Sequence, residues 1–189
     1  MRMKNAIQIL HTAQDNDLNF LDKKFLLIDT SFLIDASKYR AEYTELISML
    51  DAVDCELVSL EAVYYEFMRG GTKQSQASDF HAFFSTVVKG SVLPIDPIVA
   101  ENVKILTKIL IGRKGNISYV DALLLGMVMK YKGEVMLLTR DRTDVLTTLF
   151  PIVVNIKVET VDGNAMYSIY SFDSDSYQEY LKNLAKLTF

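Results

Sequence analysis

Four short apolar runs, separated by stretches of helical spacing, constrain this chain more than any other feature. FLLID (25–29), CELVS (55–59), SVLPI (91–95) and EVMLLT (134–139) are too short for buried helices and carry leucine-rich or β-branched cores. They read as strands covered on both faces. Between them, AEYTELISMLDAV (41–53), LEAVYYEFMR (60–69), residues 73–89, PIVAENVKILTKIL and residues 119–131 repeat their apolar residues at helical intervals. Gly70-Gly71 stops the second of these helices, and Asp96-Pro97 supplies an N-cap and an N1 proline to the fourth. Strands alternating with helices predict an α/β domain, with a parallel sheet and helices on both faces.

The chain's ends carry different patterns. PIVVNIKVETV and NAMYSIYSF flank Asp162-Gly163, which predicts an added C-terminal β-hairpin, with residues 174–187 as a closing helix. An uncovered hairpin would leave an exposed strand edge, so it is expected to extend the main sheet or to make a dimer contact within a homo-oligomer. The N-terminal segment, with His11, reads as a helix and not as a secretory signal. With 189 residues, 50% of them apolar, one domain spanning 1–189 is expected: a core over about 25–150 and an extension over about 151–189. The single cysteine, Cys55, excludes an internal disulfide and a cysteine-based zinc site, and with no membrane-spanning run points to the cytoplasm.

Ligands bind parallel α/β sheets at the carboxyl ends of the strands. Asp29 ends the first strand, Glu66 lies on the helix after the second, Asp121 in the first turn of the helix leading into the fourth, and Asp141 just past that strand. Each acid has a plainer reading. Asp29 and Asp121 (in a Ser118-x-x-Asp121 box) suit helix caps, Asp141 a turn, and Glu66 a solvated helix face. Taken together they point to one rim, and Glu66 fits the solvated reading worst because Ala62 and Val63 place it beside the apolar face. Two carboxylates about 5 Å apart repel by roughly 3 kcal/mol at an effective dielectric near 20. Oxygen-seeking Mg²⁺ or Mn²⁺ would offset that. Neither His11 nor His81 belongs to the set.

DTSFLID (29–35), EFMRG (66–70), LPID (93–96), SYVDALL (118–124) and LLTRDRTD (137–144) together resemble the PIN-domain family, including VapC-type toxin ribonucleases, over roughly residues 25–145. The resemblance implies a PIN-like (Rossmann-like) fold and a divalent-metal-dependent endoribonuclease leaving 5′-phosphate and 3′-hydroxyl ends. It implies Asp29, Glu66, Asp121 and Asp141 as the catalytic and metal-holding acids, and Ser31 and Thr139 as supporting hydroxyls. Asp144 stands one residue later than the family's usual second acid of that motif, so it is either a fifth ligand or a cap for VLTTLF. The family's toxins are usually shorter than this chain. RNA and an antitoxin-like protein are the partners implied; Arg113, Lys114 and Arg140, placed beside the acids, suit either a grip on RNA phosphates or solvated surface charge. A structure-specific DNA nuclease and a PIN-fold interaction module are the alternatives. Other acidic α/β sites fit less well: a haloacid-dehalogenase-type phosphatase needs Asp where Ser31 stands, and a phosphorelay receiver needs Lys where Arg140 and Asp141 stand. A net charge of −4 argues weakly against gripping nucleic acid by charge alone.

Overall fold

A computed structural model describes residues 6–11, 18–70, 74–110, 117–143 and 145–187. The four apolar runs form β2 (Phe25–Ile28), β3 (Glu56–Leu60), β4 (Val92–Leu93) and β5 (Val135–Thr139). They pair in parallel in the order β5-β2-β3-β4. Pro94, with no N–H to offer, cuts the expected third strand to two residues. Every residue of β5 is buried, as a strand covered on both faces requires.

The connections place the helices. From β2, α1 (Thr30–Lys38) and α2 (Arg40–Asp51) lead to β3; from β3, α3 (Glu61–Arg69) and α4 (Gln74–Val87) lead on to β4. Both steps run the same way along the sheet, so right-handed crossovers put these four helices on one face. The chain then returns past β2 to β5 through α5 (Pro97–Leu110) and α6 (Tyr119–Tyr131), which therefore cover the other face. Residues Ala122–Met129 of α6 are all buried. At Gly126 the two helices come so close that a Cβ would lie 3.1 Å from the Val103 side chain, and Asn102 donates to the Gly126 carbonyl at 3.0 Å. The reversal of direction between β5 and β2 opens a crevice at their carboxyl ends.

The hairpin forms as expected, as β6 (Ile152–Thr160) and β7 (Gly163–Tyr170), with β7 antiparallel to β5. It thus extends the main sheet. Gly163, at φ +139°, takes the positive-φ position of the turn. Lys38 and Tyr39, at the end of α1, both donate to Asp162 beside it, at 2.8 and 2.7 Å. The closing helix α7 (Ser174–Leu187) is capped by Asp173 and packs Tyr177 on Phe172, with ring centroids 5.6 Å apart.

The N-terminal helix is a misreading. Residues Ile7–His11 form a strand, β1, antiparallel to β6 and in register from Ile7 opposite Val158 to His11 opposite Val154. The segment IQILH is only five residues long, too short for periodicity alone to decide its state. Its conformation is set by the free edge of β6, which local sequence does not reveal. Among the described residues the sheet has seven strands in the order β1-β6-β7-β5-β2-β3-β4. Cys55 is buried, and burial pushes its thiol up to about 12, so it behaves as a small apolar residue. No helix among the described residues is long and apolar enough to cross a membrane.

Candidate active site

The sequence predicts the acids at the carboxyl edge of the sheet, and the crevice between β2 and β5 lies at that edge. Asp29 directly follows β2 and is 5% exposed. Its carboxylate caps α1 by accepting from the Phe32 N–H at 2.9 Å, so the plain capping reading of Asp29 describes part of what it does. Capping does not use all of its oxygens. Ser31 donates to both at 2.8 Å, and the Thr139 hydroxyl at the end of β5 donates to Oδ2 at 2.5 Å. Burial pushes the Asp29 carboxyl above its ordinary range. The bonds from Thr139, Phe32 and Ser31 and the more distant charge of Arg140 pull the other way. A carboxylate so placed gains from a cation.

Thr139 also accepts from the Asp141 N–H at 2.9 Å, so one hydroxyl links the acid after β2 to the acid after β5. Asp141 in turn accepts from the Thr143 N–H and hydroxyl at 2.8 and 2.7 Å, which is the turn role open to it from sequence. Glu66 leans back from α3 to the start of α1, where Thr30 donates to its Oε2 at 2.7 Å. Asp121 lies at the N-terminus of α6, which runs back over the sheet before β5 and so brings that end to the same carboxyl edge. There the Ser118 hydroxyl accepts from the Asp121 N–H at 3.0 Å and donates to its carboxylate at 2.5 Å, close to the expected capping box.

All four acids therefore sit at one edge, and each is held by a neighbouring hydroxyl. A hydroxyl orients a carboxylate without cancelling its charge. Among the described residues no three acids surround a common point at metal-holding distance; Glu66, Asp121 and Asp141 accept hydrogen bonds from Thr30, Ser118 and Thr143. The donor set is oxygen throughout, which fits a hard divalent cation. Asp144, Arg113 and Lys114 lie outside the described residues. Arg140 donates to Asp35 at 2.8 Å with its side chain half exposed, and Arg142 donates to Asn155 at 3.2 Å. His81 is hydrogen-bonded to Tyr64.

Thr30 escapes a reading based on acids alone, although the run Asp29-Thr30-Ser31 signals it: two hydroxyls beside a strand-end acid. Thr30→Val keeps the side-chain shape and frees Glu66. If Glu66 works with Asp29, cleavage should fall about 10–100-fold, the usual cost of losing an orienting partner. Thr30→Ser should keep most of it. Equal losses in the two variants would show that the hydroxyl plays no part.

The PIN domain family model matches residues 26–143. No curated protein matches the chain. Among solved structures, it is similar to a chain in the crystal structure of VapBC2 from Rickettsia felis bound to a DNA fragment from their promoter. The identity is 15% over 57% of this chain and 83% of that one, with a TM-score of 0.49.

Proposed function

Because the chain belongs to the PIN domain family, we propose that it is a divalent-metal-dependent nuclease that hydrolyses phosphodiester bonds, with RNA as its substrate. The observation that supports this reading is the link from Asp29 to Asp141 through the Thr139 hydroxyl at the β2–β5 crevice, with Glu66 and Asp121 each oriented by a hydroxyl of its own. Asp29, Glu66, Asp121 and Asp141 would hold the ion, with Asp144 as a fifth oxygen donor. Bound Mg²⁺ or Mn²⁺ supplies a water of lowered pKa and neutralises charge on the phosphoryl oxygens. Ser31 and Thr139 keep both oxygens of Asp29 in place, and Thr139 carries the Asp141 backbone with it. Arg113 and Lys114, in the loop before α6, meet substrate phosphates, and Arg140 adds donors that its bond to Asp35 does not use. The family resemblance adds an antitoxin-like protein as partner, in the cytoplasm.

The test is cleavage of labelled single-stranded RNA and of DNA of the same sequence, with Mn²⁺, Mg²⁺ or EDTA. RNA should be cut only with metal, leaving 5′-phosphate and 3′-hydroxyl ends. Cutting confined to DNA would change the substrate. No cutting of either with Mn²⁺ would leave an interaction module in place of an enzyme.

A further inference from the structure

The segment that carries Asp141 is held on both sides by the β6–β7 hairpin, which lies beyond the residues matched by the family. Thr139 is opposite Ser168 where β5 and β7 pair. Past that point Arg140 and Arg142 reach opposite faces of the hairpin. Arg140 donates to Asp35 of α1, which is 8% exposed, and Tyr167 of β7 donates to the same carboxylate oxygen at 2.6 Å. Since the single hydroxyl hydrogen of Tyr167 goes to Asp35, Tyr43 is the donor in its 2.8 Å contact with Tyr167. Burial pushes both phenols upward, so both remain donors. The rings of Phe32, Tyr43 and Tyr167 pack edge to face around this chain of bonds. On the other face Arg142 donates to the side-chain oxygen of Asn155 in β6, and Ser168 donates to that same oxygen at 2.6 Å. Successive residues of a strand point to opposite faces, so Tyr167 and Ser168 serve the two arginines separately.

We infer that the hairpin completes the site. Tyr167 acting through Asp35 and Arg140, and Asn155 and Ser168 acting through Arg142, are positioning residues that fix the backbone carrying Asp141. The inference rests on the nuclease reading for its consequence, but not for the geometry it asserts. Releasing Arg140 would strand a buried carboxylate, which is why the network holds closed.

The test replaces residues outside the acid set and its cations. Tyr167→Phe keeps the ring packing and removes one hydroxyl; Asn155→Ala removes the acceptor of Arg142. In the double variant the amides of Asp141 and Thr143 should exchange about tenfold faster relative to those of Leu137 and Leu138 in β5. That ratio removes any general loss of stability. The Mn²⁺ concentration giving half of the full thermal shift should rise about 10–100-fold. Asn155→Asp, which keeps an acceptor for Arg142, should restore the single-site loss. An unchanged exchange ratio with unchanged Mn²⁺ dependence would reduce the hairpin to a sheet extension. If the parent neither binds Mn²⁺ nor cuts RNA, the nuclease reading fails, and the exchange ratio still decides whether the hairpin holds this segment.

Discussion

Asp29→Asn should remove nearly all metal-dependent cleavage while leaving the metal-free protein at least as stable as the parent. Asn caps a helix about as well as Asp, so the bond from the Phe32 N–H survives. The new amide group meets the oxygens of Ser31 and Thr139, which can accept as well as donate. What disappears is a charge in a site where burial disfavours it. Stability without metal should therefore hold or rise. Activity should fall by about three orders of magnitude, since the ion's transition-state stabilisation is several kcal/mol and each 1.36 kcal/mol is tenfold. The thermal shift should go with it: at about 100 times Kd, Mn²⁺ adds roughly 2.7 kcal/mol to the parent and most of that should vanish. Melting curves with and without Mn²⁺, run beside cleavage, decide it. A variant that melts well below the parent without metal, yet keeps both shift and activity, would show Asp29 to be a helix cap alone.

A chain ending at Phe150 should not fold. The family match ends before the hairpin, which suggests a dispensable appendage; the packing says otherwise. Val154, Ile156, Val158, Tyr167, Ile169 and Tyr170 are all fully buried. At about 1.5–3 kcal/mol for each side chain, their burial is worth roughly 9–18 kcal/mol as an upper figure. Whole-protein stabilities of about 5–15 kcal/mol cannot absorb such a loss. Truncation would also bare the edge of β5 and take away the partner of β1. Circular dichroism and a thermal melt of residues 1–150 measure it, and a cooperative transition near that of the full chain would refute the expectation.

The sequence is most legible where one residue carries several constraints. Strands β2 and β5 announce themselves because burial on both faces demands nearly unbroken apolar runs, and the hairpin because Asp162-Gly163 can do little but turn. The acids are legible through position, since each follows a strand or opens a helix. Their orienting partners are less so. Ser31 and Thr139 are visible beside acids, whereas Thr30 needs the packing of α3 on α1, a fact about tertiary structure. Asp35 left a trace: an acid among the buried Phe32, Leu33 and Ala36 of α1 must have a partner, but nothing local says that the partners are Arg140 and Tyr167. β1 was invisible for the same reason, because its state is decided by a strand far along the chain.

The pairing of β1 with β6 also sets an order of events during synthesis. Gln8 of β1 meets the Glu159 side chain, 151 residues later, so the first strand to be made is among the last to find its place. At about 5–20 residues per second, a ribosome leaves it without that partner for on the order of ten seconds. Contacts of such long range form late because closing the intervening loop is entropically costly. During that interval β2 to β5 and their helices lack the burial that β6 and β7 supply, so the crevice with its acids takes its final shape only once the hairpin has been made. The waiting strand carries Ile7, Ile9 and Leu10, an apolar stretch that a neighbouring nascent chain could also pair with. The arrival of β6 is what ends that exposure.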